Sequence, residues 1–270
     1  MHRSNALLSS ILCALACAPA IAADAPAATA PAAVQREVIG TRTSENVPAI
    51  PAALLEQLNR YQNTRGAGVA GWTKDGCLLI TTRFAETAQA HRVCQPMGMR
   101  EQLTFYPEPV GGITPVPAAA KQDGFVFAKD VGGNEFSQLY WFDFGSRNTT
   151  MLTDGKRSQN NGALFSQDGT KLAYSSTARN GKDTDVWVRD VKTGASKPLV
   201  TEGGNWSAMD FSPDGKELLV IKYVSANEMY PGAVDLATGK LELFPVDGGK
   251  AAFGGFQFAP DGKAVYYISD

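Results

Sequence analysis

The sequence predicts an all-β fold: a β-propeller with about four complete four-stranded blades and the start of a fifth, in an incomplete ring. The phrase Phe-x-x-Asp-Gly, intact or degraded, occurs five times in the chain. Its aspartates are Asp75, Asp123, Asp168, Asp214 and Asp261, spaced 48, 45, 46 and 47 residues apart. A period in the forties with β-type sequence in each unit is typical of propeller blades.

A second motif repeats with the same period. Strand-like runs end at Asp143, Asp190 and Asp235, which are 47 and 45 residues apart, and each aspartate is followed by a turn sequence. Two different motifs that share one period are unlikely to arise by coincidence. We therefore place the third strand of each blade just before these aspartates.

Three segments precede the repeats. Residues 1–23 have a basic start, an apolar run and small residues before the expected cleavage site, so they predict a signal peptide. Cys17 loosely resembles a lipoprotein cleavage site, which leaves lipidation as an alternative. Residues 24–46 predict a disordered Ala/Pro-rich linker, and residues 47–65 predict a short helical lead-in to the first blade.

Each blade follows the same internal pattern. In Ser212-Pro-Asp-Gly215 the proline presets φ, the aspartate bonds to nearby amides and the glycine takes a positive φ, so this segment predicts the turn between the first two strands. We expect blades near residues 66–110, 111–158, 159–203, 204–249 and 250–270, the last one truncated. An open array of blades leaves an unpaired apolar edge. We therefore expect the sequence to be the N-terminal part of a longer protein.

Charge and composition argue against several classes of partner. The formal net charge is -2 and no run of Lys or Arg is present, so we expect no nucleic-acid partner. The N-terminal apolar run is short for a membrane span. The chain has no His/Cys cluster, so we expect no metal and no cofactor, with calcium at Asp183 and Asp185 as a weaker alternative.

Two cysteines remain after the predicted cleavage, in a compartment that we expect to be oxidising. If residues 77–82 and 88–94 pair as an antiparallel hairpin that turns near Ala85-Glu86, residues whose numbers sum to 171 face each other. Cys77 then lies opposite Cys94. Opposed Cα atoms in such pairs are about 4.5–5.5 Å apart, within the reach of a disulfide. We predict a cross-strand disulfide, with two buried free thiols as the alternative.

Two stretches outside the common repeat phrase are more specific. Residues 82–93, continuing through 100–110, resemble the first propeller blade of exported bacterial peptidases of the prolyl oligopeptidase family. Residues 130–140 resemble the second blade of the same proteins, and the resemblance extends from about Gly66 to the end of the chain. The Phe-Ser-Pro-Asp-Gly phrase itself is shared with TolB-like propellers.

The resemblance implies a propeller of about seven blades followed by an α/β-hydrolase domain with a Ser, Asp and His triad. In that family the propeller covers the active site and restricts access to peptides. The 270 residues contain no Gly-x-Ser-x-Gly segment, and His91 is the one histidine after the predicted cleavage site, in a predicted strand. We therefore assign no catalytic residue to this chain.

Substrate contact stays an open hypothesis at one loop. Family members that release dipeptides hold the amino terminus of the substrate with neighbouring glutamates, and this chain has no Glu-Glu pair. Asn134 and Glu135 lie in a Gly-rich hairpin loop, which can present one carboxylate, that of Glu135, to the ammonium group of a substrate. A solvated turn without a binding role is the alternative.

The resemblance thus implies the substrate-gating, non-catalytic propeller of a secreted or periplasmic serine peptidase that cleaves peptides. Its partners would be a peptide substrate and a C-terminal α/β-hydrolase domain beyond residue 270. The alternative is a TolB-like periplasmic propeller that binds a protein without catalysis. A sialidase-type propeller is disfavoured, because Asp and Gly are adjacent in all five copies whereas the sialidase turn has one residue between them.

Overall fold

A computed structural model describes residues 34–246 and 249–270. The predicted signal peptide and the alternative of lipidation at Cys17 lie outside these residues. The chain divides into two compact units, residues 1–49 and residues 50–270, which we describe separately.

The described part of the first unit is a two-stranded antiparallel hairpin. Strand β1 (Arg36–Ile39) pairs with strand β2 (Arg42–Glu45) across a two-residue turn in which Gly40 takes a φ of 59°. The prediction of a disordered linker over 24–46 is therefore wrong for these ten residues. Ala and Pro dominate only up to residue 33, whereas this segment carries β-branched residues and two cross-strand Arg–Glu pairs.

The second unit begins with helix α1 (Ala52–Gln62), inside the segment predicted as a helical lead-in. Pro51 precedes its first residue, where the missing N–H of proline costs no helical hydrogen bond. None of its side chains is buried. Among the described residues no helix has both the length and the apolar character needed to cross a membrane.

In the described residues of the second unit, five sheets follow one another as propeller blades, and four of them have four strands. Blade 1 contains β3 (Ala67–Trp72), β4 (Leu78–Thr82), β5 (Gln89–Val93) and β6 (Glu101–Gln102); blade 2 contains β7 (Gly111–Pro115), β8 (Gly124–Lys129), β9 (Gln138–Asp143) and β10 (Thr149–Met151); blade 3 contains β11 (Asn160–Phe165), β12 (Lys171–Ser176), β13 (Asp185–Asp190) and β14 (Ser196–Val200). Blade 4 contains β15 (Asn205–Phe211), β16 (Glu217–Ser225), β17 (Glu228–Asp235) and β18 (Leu241–Leu243), and blade 5 the two strands β19 (Phe253–Phe258) and β20 (Val265–Ser269). The predicted fold class is confirmed.

Successive blades meet along their first strands. Strand β3 contacts β7, β7 contacts β11, β11 contacts β15 and β15 contacts β19. Each first strand also contains an irregularity in its register with the second strand. Bulges of this kind increase local twist and bend a strand. The first strands thus form the inner wall around which the sheets are arranged.

The core lies between neighbouring sheets. The second strands are the most deeply buried, as their continuous apolar sequence predicted: Phe125, Val126 and Phe127 of β8 are each 0% exposed. Apolar clusters bridge consecutive blades, and one joins residues of blade 3 such as Val186 to residues of blade 4 such as Phe211. The packing of neighbouring sheets therefore buries the apolar residues of this fold.

The aspartates of the repeat phrase fasten the turns. Asp214 accepts hydrogen bonds from the Ser212 hydroxyl at 2.8 Å and from the Lys216 amide at 3.1 Å. The Ser212 hydroxyl and then the Lys216 side chain lower the pKa of Asp214 to about 2. The third-strand aspartates act similarly, and Asp190 accepts bonds from the amide and hydroxyl of Thr193. These carboxylates therefore have a structural role.

The second copy of the phrase lies elsewhere than Asp123-Gly124. Amide-to-carbonyl bonds close the turns Ser166–Gly169 and Ser212–Gly215, and the matching bond in blade 2 runs from Ala120 to Pro117. Ala120 thus occupies the glycine position. Gly124 already pairs with Asp143 as the first residue of β8. The prediction was wrong because a two-residue insertion separates the turn from the strand.

The disulfide prediction is confirmed in position and partner. Leu78 pairs with Val93, which gives the predicted register, and Cys77 is bonded to Cys94 with their Cα atoms 4.1 Å apart. Cys77 and Cys94 stand where the other complete blades place the first residue of the second strand and the last residue of the third. At the end of the third strand, blade 1 thus has a disulfide where the other complete blades have an aspartate that accepts hydrogen bonds from the following turn.

Candidate functional site

The antiparallel meander gives the second unit two different edges. The turns between first and second strands and between third and fourth strands lie at one edge, which we call the turn edge. The loops between second and third strands and the connections between blades lie at the other, which we call the loop edge. Propellers place functional groups on such connections because a rigid scaffold presents them. The predicted contact residues Asn134 and Glu135 belong to the loop edge.

The loop between β8 and β9 holds Glu135 in an unusual conformation. Glu135 has a φ of 64°, a region that non-glycine residues rarely occupy, and its amide donates to the Asp130 carboxylate at 2.8 Å. Asn134 accepts a bond from the Phe136 amide at 2.9 Å, so its side-chain oxygen stabilises the loop. Glu135 itself is exposed. Strained backbone that presents an exposed carboxylate is a feature of binding loops.

A largely buried lysine anchors the base of this loop. Lys129 lies over the rings of Tyr106 and Tyr140, with Nζ 4.9 Å and 5.4 Å from their centroids, and its Nζ is 3.5 Å from a Glu108 oxygen. The pKa of Glu108 is lowered by hydrogen bonds from its own backbone amide and from the Gly132 amide, and further by the Lys129 ammonium. The Gly132 amide donates to Glu108 at 3.3 Å. This cluster connects the loop to the preceding blade.

Two buried glutamines, which the sequence analysis did not single out, fix the connections between blades. The Gln138 amide group donates to the carbonyls of Lys156 and Ser158 and accepts from the Thr153 hydroxyl. Gln89 makes the equivalent bonds to Tyr106 in blade 1. Both residues begin the third strand of their blade. Gln138 lies five residues before Asp143, and Gln89 lies five residues before Cys94, its equivalent in blade 1. A polar residue at this position of the repeat is the sequence signal that could have identified both glutamines.

The corresponding residue of blade 3 is Asp185, which is fully buried. Arg179 donates to it from Nε at 2.6 Å and from Nη2 at 2.9 Å, and it also reaches Asp183 at 3.4 Å. Asp183 further accepts a bond from the Gly204 amide. The carboxylates of the predicted calcium alternative are therefore engaged by a guanidinium and a backbone amide, an arrangement that fastens the loop to the start of blade 4.

His91 is a structural residue of β5. Its side chain is 1% exposed, its Nδ1 lies 3.0 Å from the Gln89 carbonyl, and its ring centroid is 5.3 Å from that of Phe84. Burial, opposed in part by the Gln89 carbonyl, lowers the pKa of His91. The described residues place no serine hydroxyl in hydrogen-bond contact with it. It has no geometry of a catalytic base.

In the part of the chain that the structure describes, one group of residues has metal-ligand spacing, Asp75 with Cys77 and Cys94. Both sulfurs are joined in the disulfide, and the Asp75 carboxylate accepts a bond from the Thr73 hydroxyl. Disulfide sulfurs are not thiolate ligands. The group therefore belongs to the disulfide-containing end of blade 1.

Blade 5 exposes apolar side chains. Tyr266 and Tyr267 are each 56% exposed, and Ile268 is 75% exposed. Equivalent second-strand residues in blades 2, 3 and 4 are buried between sheets. This surface has the composition of an interior that another element covers.

Comparison with known proteins gives a partial sequence match to a curated protein and a fold shared with several solved structures. No family model matches the chain. A dipeptidyl-peptidase 5 of Trichophyton tonsurans is 28% identical over 134 residues, which is 49% of this chain and 17% of the relative. The aligned part thus spans less than a fifth of that protein.

Solved structures of several kinds have a similar fold. A TolB from Acinetobacter baumannii matches 76% of this chain and 55% of its own, with a TM-score of 0.52 and 17% identity. A puromycin-hydrolysing peptidase of Mycobacterium tuberculosis matches 76% of this chain and 34% of its own, with a TM-score of 0.58 and 16% identity. An oligogalacturonate lyase of Vibrio parahaemolyticus matches 75% of this chain and 59% of its own, with a TM-score of 0.59 and 15% identity.

At these identities the structural matches establish the fold alone. They include both kinds of propeller that the sequence resembles, TolB and a peptidase. The second unit of this chain is a β-propeller module whose fold is similar to those of TolB and of a puromycin-hydrolysing peptidase.

Proposed function

We propose that this chain is the substrate-gating, non-catalytic propeller of a secreted or periplasmic serine peptidase. The observation that carries the proposal is the 28% identity with a dipeptidyl-peptidase over 134 residues, because this match is one of sequence and not of fold alone. The hydrolase domain would follow residue 270. Acyl transfer to a serine, activated by a histidine and an aspartate, would take place in that domain.

The propeller would act by restricting access. The bulged first strands form the inner wall of the described blades. In a completed ring, a narrow opening at this wall would admit extended or short peptides and exclude folded proteins. The exposed apolar surface of Tyr266, Tyr267 and Ile268 supports the presence of at least one more blade packed on blade 5. Further blades would complete the ring that this gating requires.

Glu135 would contribute one contact to the peptide. Its carboxylate is exposed and its backbone is fixed in a left-handed conformation by Asp130, so the side chain is presented without a large loss of loop entropy on binding. An ammonium group at the amino terminus of a peptide suits a single carboxylate, which accepts its N–H donors. The side-chain oxygen of the adjacent Asn134 accepts from the Phe136 amide and has a second lone pair for a further N–H donor.

The test uses the product of the complete gene. A fluorophosphonate probe should label that product, and the labelled serine should lie after residue 270. Cleavage should be fast for short fluorogenic peptides and should fall steeply for a folded protein that carries the same sequence. An unlabelled complete product, or equal cleavage of folded protein and peptide, would contradict the proposal.

The contribution of Glu135 is tested in the same protein by Glu135→Gln. We expect KM for peptides with a free amino terminus to rise about tenfold, since a hydrogen bond to a charged group contributes on the order of 1.5–3 kcal/mol. KM for amino-terminally acetylated peptides should stay the same. Glu242→Gln, an exposed glutamate on β18, is the control. An unchanged KM for free peptides would remove this role.

A TolB-like function as a protein-binding module is the second candidate. The match to TolB structures favours it, since they cover as much of this chain as the peptidase does. A complete gene that ends after a few more blades, together with retention of a periplasmic protein by the purified module, would support it. Fractionation of cells tests the periplasmic or secreted location that both candidates need.

A further inference from the structure

A cavity of about 160 Å³ lies between blade 2 and blade 3, away from the loop that carries Glu135. Its walls are mainly apolar and include Val126, Trp141, Leu152, Phe165 and Leu172. Two lining residues, Gln122 and Val191, belong to turns of the turn edge, so the cavity is reached from there. A cavity of about 150 Å³ with apolar walls holds a benzene ring in another protein.

A small residue leaves this space open. The amide of Val191 donates to the Thr170 carbonyl at 2.9 Å, and the same bond is made by Phe144 in blade 2 and by Leu236 in blade 4. The three residues therefore occupy one repeat position, which packs against the preceding blade. Phe144 fills its site beneath Arg92, whose guanidinium carbon is 5.5 Å from the ring centroid. Valine is the smallest side chain of the three.

One cationic side chain lines the cavity. Arg189 donates from Nη1 to the Leu152 carbonyl at 3.2 Å and to the Ser196 hydroxyl at 3.3 Å. Within residues 34–246 and 249–270 its hydrogen-bond partners are thus a carbonyl and a hydroxyl, and none is a carboxylate. Gly194 makes room for the guanidinium, because a Cβ at that position would lie 3.0 Å from Nη2. A half-buried guanidinium with spare donors favours an oxyanion.

We propose that this cavity binds a small apolar carboxylate, with a ring-sized group beside Trp141 and the carboxylate at Arg189. The shared chemistry fits a free acid and also an apolar residue at the carboxyl terminus of a peptide. The site lies at the turn edge, so it would be separate from the peptide contact proposed for Glu135. It is present in the chain whichever candidate function holds.

The experiment measures binding of 3-phenylpropionate and of the neutral 3-phenylpropanamide to the complete gene product by 19F NMR. The tryptophans carry 5-fluoro labels, and Trp141→Phe identifies the Trp141 signal. We expect that signal to shift with the acid at a Kd of about 1 mM, typical of a ligand with so few atoms. The amide should bind at least tenfold more weakly. N-acetyl-Gly-Gly-Phe as free acid shows whether peptide termini also bind.

Two variants separate the site from general binding. Val191→Phe copies the blade 2 residue into the cavity and should abolish the Trp141 shift, whereas Leu236→Phe at the equivalent position of blade 4 should leave it unchanged. Arg189→Gln should weaken acid binding about tenfold and leave amide binding the same, and circular dichroism confirms folding of each variant. Each of three results would overturn the proposal. The first is that the acid still binds to the Val191→Phe variant, and the second is that the acid and the amide bind equally well. The third is that the Trp141 signal does not shift at an acid concentration 20-fold above the expected Kd.

Discussion

Reduction of the Cys77–Cys94 disulfide should destabilise blade 1 selectively. The bond joins β4 to β5 at the turn edge, where the other complete blades use an aspartate-fastened end. Cys77 is 3% exposed but Cys94 is exposed, so a small thiol reagent reaches the bond from the Cys94 side. Cys77→Ser with Cys94→Ser removes the bond without any reagent.

The size of the effect follows from the length of the loop that the bond closes. The two cysteines are 17 residues apart in sequence. The chain-entropy relation for a loop of this length gives about 3 kcal/mol at 25 °C, lost when the bond is absent. Since about 1.4 kcal/mol corresponds to a factor of ten, blade 1 should open about a hundredfold more often.

Amide hydrogen exchange followed by mass spectrometry measures this opening one peptide at a time. Peptides from β4 and β5 should exchange about a hundredfold faster in the Cys77→Ser/Cys94→Ser protein, and peptides from β12 and β16 should change little. The reducing agent should have no effect on the double variant, which controls for indirect action. Equal acceleration in all blades, or none in blade 1, would refute the reasoning.

Three further predictions concern stability, each measured by urea unfolding of the complete product. Gly169→Ala should destabilise the protein more than Gly215→Ala. Both glycines have a positive φ, near 67° and 68°, but a Cβ at Gly169 would lie 2.4 Å from the Ala120 Cβ, whereas a Cβ at Gly215 would have no atom within 4 Å. Equal losses of stability would contradict the inter-blade contact. His91→Gln should reduce the pH dependence of the unfolding free energy between pH 7 and 5. Burial lowers the pKa of His91 below its value in the unfolded chain, so wild-type stability falls as the pH drops through 6.5. An unchanged pH dependence would show that another group is responsible. Asp214→Asn should reduce the loss of stability that occurs as the pH falls from 4 to 2. The pKa of Asp214 is about 2 in the folded state and 3.8 for the free side chain, so its carboxylate stabilises the fold above pH 4 and no longer does so below pH 2. The same loss of stability in wild type and variant would argue against this carboxylate.

The number and order of blades could be predicted from the sequence because each blade is one local unit. Strands of the same blade are neighbours along the chain, and the turn residues between them, such as Pro213, Asp214 and Gly215, act on the backbone at short range. The disulfide followed from the same local logic, since the register of one hairpin determines which residues are opposed.

The errors arose where local signals were weak or replaced. Pro117 and Ala120 form the blade 2 turn without its aspartate and glycine, so the nearby Asp123-Gly124 was mistaken for it. In the linker, the hairpin around Gly40 lies just beyond the Ala/Pro-rich composition that led to the prediction of disorder. A short motif is a reliable indicator only while its own residues are retained.

The sequence by itself determined the strands, the turns, the blade period and the cysteine pair, because these depend on interactions between residues close along the chain. Only the tertiary structure decided how one blade packs on the next. The buried anchors Gln89 and Gln138 and the cavity beside Trp141 depend on contacts between separate strands or blades. Such contacts follow from three-dimensional packing of side chains, which the repeat pattern does not specify.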